Sequence, residues 1–342
     1  MSQHLWRFHM SGSIRGRLIT FHSIMHEPLP PVDWLVETII PAGNRGVLFG
    51  EFGCYKSWLL LHLGLHIAAG RTWLGEFPIP QPRSVLFIDE EMSQVELRRR
   101  VKQLAEGAGL HTEDLPFRAV SHAGLRFDDK SILHLLEELR QEEFDPDVII
   151  VEVFRRVLLG SENDAKDVNT FWQAVAPVFT AGKTLIISHH MRKPGPMGAG
   201  DNRYRASGST DILAGADCSF AVTRRGELVT VECIKQRSGP ETLPFDVKLD
   251  EPQGKDGPKE LLFAGFQQPK QTIPSEEQRA REALGEYAEC LDGGEVCTAD
   301  ITEYLRTQGV AQRTAERALQ KYGGDYLDKV KRATWRRKQK AA

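Results

Sequence analysis

Residues 45–58 read RGVLFGEFGCYKSW, and the reading of this stretch decides the fold. RGVLFG (45–50) is a short apolar strand. KSWLLLHLGLHIAAG (56–70) has the length of a helix and closes on a glycine stop. Between them lies a glycine loop that nearly spells G-x-x-x-x-G-K-[ST], with Tyr55 standing where the second glycine is expected. Such a loop aims backbone N–H groups at phosphate oxygens at a helix N-terminus, where the helix dipole also favours an anion. The lysine then reaches the terminal phosphates and the hydroxyl binds Mg²⁺. Gly50, Gly53, Cys54, Tyr55, Lys56, Ser57 and Trp58 are therefore the candidate cradle, with Ser57 as a metal ligand. Tyr55 is expected at negative φ, its ring free to pack over a base or a subunit edge.

Outward from the loop, strands and helices alternate. RSVLFIDEE (83–91) is a buried strand ending in acids. MSQVELRRRVKQLAEGAG is an amphipathic helix, with Ser93 as N-cap and Glu96 three residues on. LPFRAVSH, PDVIIVEV (146–153) and KTLIISHH (183–190) read as strands; KSILHLLEELRQEE and VNTFWQAVAPVFTAG read as helices. Apolar strands buried on both faces and separated by helices mean an α/β fold with a mainly parallel sheet. ADCSFAVTRRGELVTVECIKQRSGPETLPFDVKLD changes character, with alternating strands and glycine turns, as in an antiparallel extension. The expected organisation is an arm over 1–29, a core domain over 30–268, a polar linker over 269–277 and a small domain over 278–338.

The chain has 342 residues, 41% of them hydrophobic, and a net charge of −3. That suits one large domain plus a small one and excludes a polybasic coat. Five cysteines without a CxxC pair argue against a zinc site and suit a reducing, cytoplasmic setting. No apolar run of membrane-spanning length occurs, so no membrane partner is expected.

Two later strands end in carboxylates, where open α/β sheets place their ligands. One is LFIDEEM, with Asp89, Glu90 and Glu91; the other is VIIVEV, with Glu152 as the candidate metal carboxylate. Phosphoanhydride hydrolysis needs one carboxylate to position water, and the other acids of the first group are free to cap the next helix. LIISHHMRKP brings Ser188, His189 and His190 to a fourth strand end, with His189 as a candidate γ-phosphate sensor.

The ensemble resembles the RecA-like core of ring-forming ATPases, above all the RepA-type plasmid and phage helicases, with the DnaB-type replicative helicases as cousins. The resemblance covers about residues 30–250. It implies ATP and Mg²⁺ as ligands, a hexameric ring of identical subunits and single-stranded DNA in the channel. By its register the catalytic glutamate falls on Glu91, and Glu152 replaces the usual aspartate of the second Walker motif. ECIKQRSGPET resembles the DnaB-type K-x-R-x-G motif, which implies that Lys235 and Arg237 act on the γ-phosphate of a neighbouring subunit. The segment Met191–Arg205, with Arg192, Lys193, Arg203 and Arg205, is the candidate for touching the DNA backbone.

Residues 311–342 hold ten Lys/Arg against three acids. TADITEYLRTQGVAQRTAERALQKYG has the spacing of a helix-turn-helix, and DYLDKVKRATWRRK fits a wing with Trp335 packing back. This resembles a winged-helix tail, binding duplex DNA or, on the other reading, protein. Three functions stay open: an ATP-dependent ring helicase or translocase of a phage or mobile element, an ATP-switched DNA-loading factor, and a filament-forming recombination mediator.

Overall fold

The computed structural model describes residues 18–29, 31–110, 114–191, 211–250, 257–268, 276–291 and 293–338. The chain folds as two compact units, Met1–Gln268 and Pro269–Ala342.

The first unit opens with α1 (Phe21–His26), capped by Thr20 and burying none of its residues. A small ladder, β1 (Trp34–Val36) with β2 (Ile40–Pro41), precedes β3 (Arg45–Gly50) and α2 (Lys56–Ala69). Then come β4 (Val85–Asp89), α3 (Gln94–Gly107), β5 (Phe117–Ser121), α4 (Asp129–Gln141), β6 (Val148–Glu152) and α5 (Phe154–Val157). The unit continues with α6 (Ala165–Ala174), α7 (Ala176–Thr180), β7 (Thr184–His190), α8 (Asp211–Gly215), β8 (Cys218–Arg225), β9 (Leu228–Gln236), β10 (Phe245–Asp250) and β11 (Glu260–Phe266). One nine-stranded sheet runs in the order β11-β10-β9-β8-β3-β7-β6-β4-β5. The strands from β8 to β5 are parallel, and β9, β10 and β11 extend the sheet antiparallel.

The central strands are apolar because both of their faces are covered. On one face Leu48, Phe87, Ile150 and Ile186 pack with Leu59, Leu60 and Leu63 of α2. On the other, Val47, Phe49, Ile88, Val151 and Ile187 pack with Phe154, Phe171 and Trp172. Each such side chain contributes roughly 1.5–3 kcal/mol of burial. The loop after β3 is therefore anchored in the best-packed part of the molecule.

Two local features differ from the sequence reading. The helix expected through VNTFWQAVAPVFTAG is two, because Pro177 has no N–H to continue α6 and instead sits in the first turn of α7. CSFAV reads with the antiparallel strands by its sequence, but β8 pairs parallel with β3 and is the strand from which the antiparallel half grows.

The second unit holds α9 (Glu276–Glu289), β12 (Glu295–Cys297), α10 (Thr298–Thr307), α11 (Gln312–Tyr326), β13 (Leu327–Lys331) and β14 (Thr334–Arg337). Its antiparallel sheet has the order β12-β14-β13. Leu284, Ile301, Leu305, Leu319, Leu327 and Trp335 form the core. Trp335 donates its indole N–H to Thr298 Oγ1 at 3.0 Å, so the hairpin is fastened to the start of α10. β12 has no counterpart in the sequence reading; three residues after a Gly-Gly pair carry too little pattern. Among the described residues no helix is long and apolar enough to cross a membrane.

Candidate active site

Gly50 ends β3 between β7 and β8. A Cβ there would lie 2.4 Å from the carbonyl oxygen of Val222 and 2.7 Å from Cys54 Sγ, so only glycine fits. The chain turns at Gly53 (φ 76°) and again at Tyr55 (φ 67°), and α2 begins at Lys56. The expectation of a negative φ at Tyr55 is thus corrected: the residue takes the left-handed conformation that the missing glycine would have held. That costs a non-glycine residue about 1–2 kcal/mol. Part of the compensation is visible: the Arg224 guanidinium lies 4.6 Å over the Tyr55 ring, and the ring packs against the α2-side core. Cys54 is buried, and burial pushes its thiol up. The Trp58 side chain is packing: it is buried, with the Arg100 guanidinium 4.8 Å over its ring. Only its backbone N–H, in the first turn of α2, can serve the cradle.

The buried Lys56 Nζ donates to the carbonyls of Gly50 (3.0 Å) and Glu51 (2.8 Å). The ammonium thus lies folded over the loop on neutral acceptors, which a phosphate would outcompete.

Ser57 donates its hydroxyl to Glu152 Oε1 at 2.8 Å. Glu152 ends β6 and is paired in register with Asp89, which ends β4. Burial pushes the Glu152 carboxyl up to about 7, with the neighbouring Asp89 adding to it and the Ser57 hydroxyl opposing it. Burial also raises Asp89, although its Oδ1 accepts the N–H groups of Glu91 and Met92 at 2.7 Å each. Glu152 Oε2 and Asp89 Oδ2 are buried without a hydrogen-bond donor. Orphaned carboxylate oxygens beside a serine hydroxyl fit a hard cation. Among the described residues no group of three or more His, Cys, Asp or Glu gathers to hold a metal. This matches Mg²⁺, which binds through one or two protein oxygens and completes its shell with water and substrate phosphate.

The three acids after β4 divide their work. Asp89 braces the loop through the two N–H groups it accepts. Glu90 accepts the N–H groups of Gly124 and Leu125 at 3.0 and 3.1 Å. Glu91 is left on the open side, with Oε1 3.0 Å from Arg156 Nε.

The strand pleat separates the two histidines of β7. His189 is fully buried on the face away from α2, edge-on to Phe154 with ring centroids 5.3 Å apart. His190 alternates with it and shares the face of Ser188, on the α2 side. It is half-buried, and burial together with the Lys56 charge lowers its pKa. Of the pair, His190 is the one turned toward the loop, and His189, the residue singled out in the sequence, is not.

Lys235 and Arg237 lie at the other rim of the sheet. Ser219 pairs with Lys235, Cys218 pairs with Gln236, and Gly46 pairs with Cys218. The K-x-R segment is thus level with the start of β3, about 16 Å along the strand from Gly50. Lys235 Nζ donates to the carbonyls of Leu213 and Ala214 at 2.9 Å each. Arg237 pairs with Asp217 at 2.9 Å, and Asp217 also takes Arg45 at 2.9 Å. Burial would raise Asp217, but Arg45 and Arg237 hold it below the usual carboxylate range. Arg192, Lys193, Arg203 and Arg205 fall outside the described residues. Arg224, Arg156 and Asp217 carry no motif that marks them in the sequence; each acts through a partner distant along the chain.

A family model described as an AAA domain matches residues 15–196. Similar solved structures include the ATPase domain of a helicase, at 11% identity and TM-score 0.50, covering 74% of this chain and 99% of that one. The flagellar accessory protein FlaH of Methanocaldococcus jannaschii follows at 15% identity and TM-score 0.43, covering 66% and 91%. The RadB recombinase is 14% identical with TM-score 0.43, covering 61% and 88%. No curated protein matches the chain. The AAA model spans more than half of the sequence and contains the glycine loop, both strand-end carboxylates and β7; the chain belongs to the AAA domain family, as a P-loop ATPase with a RecA-like core.

Proposed function

We propose that the protein is an ATP-dependent, ring-forming DNA helicase or translocase of a phage, plasmid or mobile-element replication or recombination system, hydrolysing ATP between subunits. ATP·Mg²⁺ supplies the phosphoanhydride and the cation that neutralises its charge. The loop N–H groups and the start of α2 receive the phosphates, and Lys56 exchanges two carbonyls for them. Ser57 and Glu152 hold the metal. Glu91 orients water once it leaves Arg156. His190, on the α2 side, takes the γ-phosphate-facing part first assigned to His189.

The observation that carries the intersubunit reading is the place of Lys235 and Arg237. They occupy the rim opposite their own glycine loop, so neither reaches a phosphate held by the same chain. They suit a phosphate on a neighbouring copy, where an inserted arginine stabilises transferring charge. Arg237 would then exchange Asp217 for phosphate. The second unit, with its helix-turn-helix and hairpin, is read as a winged helix that binds duplex DNA; single-stranded DNA is assigned to the channel of a six-membered ring.

The test is ATP turnover with and without single-stranded DNA, for wild type, Lys56→Ala, Arg237→Ala and an equal mixture of the two variants. Turnover stimulated by DNA, lost in each variant and partly restored in the mixture, is the expected result. Wild-type turnover no higher than that of Lys56→Ala would end the motor reading; no restoration in assembled mixtures would end the intersubunit one. A second reading, a DNA-loading switch with slow hydrolysis, is favoured by the left-handed Tyr55 and by Glu152, which is half-protonated near neutrality. It predicts slow turnover and no opening of a forked duplex.

A further inference from the structure

We infer that the second unit grips nucleic acid through the β13–β14 hairpin, binding the phosphate backbone of a duplex, and not through α11. This rests on the reading of that unit as a DNA-binding module.

α11 is the helix that a helix-turn-helix would insert in the groove, yet its surface is already engaged by acids of its own unit. The backbone N–H of Ala311, at its N-terminal end, donates to Glu276 Oε1. That puts a carboxylate where a phosphate would dock against the helix dipole. Glu277 accepts Lys321 Nζ and the Tyr322 hydroxyl, each at 2.7 Å. Gln312 is tied to Glu316 on the same helix. Two bases, Arg313 and Arg317, are left on α11 without an ion pair among the described residues, beside Glu276, Glu277 and Glu316.

The hairpin has the opposite balance. From Leu327 to Lys338 it carries six bases, Lys329, Lys331, Arg332, Arg336, Arg337 and Lys338, against one acid, Asp328. All six are exposed. Among the described residues none has a salt bridge. Arg337 and Lys338 donate only to backbone carbonyls, of Glu289, Leu291 and Gly324, which leaves their charge uncompensated. Lys329 lies 5.6 Å over the Trp335 ring. The same Trp335 fastens the hairpin to α10, so the bases stand on a fixed platform. Arg332 and Ala333 (φ 63°) form its tip, between Lys331 and Thr334. A rigid, uncompensated row of cations fits a polyphosphate backbone, and it carries few groups suited to reading bases.

The test uses the full chain and a fluorescent duplex of arbitrary sequence, with affinity measured by anisotropy across a salt series. Lys331→Ser with Arg332→Ser is expected to weaken binding about tenfold or more and to reduce the salt slope by nearly 2. Arg313→Ser with Arg317→Ser is expected to change affinity less than about threefold. Greater loss in the α11 variant than in the hairpin variant overturns the inference, as does equal affinity of the hairpin variant at every salt. No duplex binding by wild type even at low salt overturns it too, and points to a protein partner. Single-strand-stimulated ATP turnover, measured on the same samples, should stay at wild-type level in both variants. Its absence in wild type would instead remove the motor reading, so the two failures are distinguishable.

Discussion

Ser57, in the first turn of α2, donates its hydroxyl at 2.8 Å to Glu152, at the end of β6, across 95 positions of sequence. The bond closes the mouth of the site around a carboxyl that burial has made a weak acid, near 7.

A pH dependence follows. In the unfolded chain Glu152 ionises near 4.5, whereas in the fold it keeps its proton up to about 7. Between those values the native state binds more protons, so stability falls as pH rises, and the loss is complete above 7. The shift corresponds to about 3 kcal/mol. Glu152→Gln should therefore raise the melting temperature of the nucleotide-free protein in EDTA at pH 8 and leave it nearly unchanged at pH 5. The same variant should lose ATP turnover about a hundredfold or more. A variant no more stable than wild type at pH 8 would contradict the burial argument.

His62 gives the opposite slope. It is buried in α2, and neither ring nitrogen has a hydrogen-bond partner. Burial, reinforced by His66, holds its pKa well below the usual 6.5. On acidification the unfolded chain takes up the proton first, so stability is full above 6.5 and is lost as pH falls below it. His62→Leu, by removing two orphaned nitrogens, should stabilise the fold by about 1–3 kcal/mol at pH 8. The gain should grow at pH 5, as chemical denaturation at both pH values would record.

The Tyr55–Arg224 pair predicts a measurable coupling. A double-mutant cycle with Tyr55→Leu and Arg224→Ala should return about 0.5–2 kcal/mol of interaction in equilibrium unfolding. Tyr55→Gly, which relieves the left-handed strain, should turn over ATP at least as fast as wild type. A slower glycine variant would mean that the tyrosine ring itself serves the reaction.

Asp217 and Arg237 should behave differently although they touch. Arg237 is half-exposed and shares its partner with Arg45, so Arg237→Ala should cost less than about 1 kcal/mol of stability. Asp217→Asn leaves both arginines without their carboxylate and should cost about 1–3 kcal/mol. Thermal melts of the two variants, set beside their turnover, separate the structural role of the acid from the proposed role of the base.

The sheet is legible in the sequence because VLFI, VIIV and TLII are too apolar for anything but strands covered on both sides. That property hides the histidine assignment. When both faces are buried, alternation carries no sign of which side a residue takes, and His189 and His190 look alike. Only the pairing of β7 with β3, and α2 on one face, separates them. Lys56, Ser57 and Glu152 meet because a local motif and a strand end each placed its own residue. Tyr55 gives no hint of its backbone angle, since the support from Arg224 arrives from a strand 169 positions later. Pro177 is readable as a helix break but stands inside a convincing apolar pattern. The Gly-Gly before Glu295 leaves β12 without one.

The reversal of direction at β9 governs how copies of the chain can combine. Because that strand returns along β8, one continuous hydrogen-bonded slab presents a phosphate receptor on one rim and two cations on the other. Any assembly that uses both rims must run head to tail. In an open row the subunit at one end keeps an uncompleted receptor, and the subunit at the other end has cations with nothing to serve. Only closure gives every copy the same surroundings.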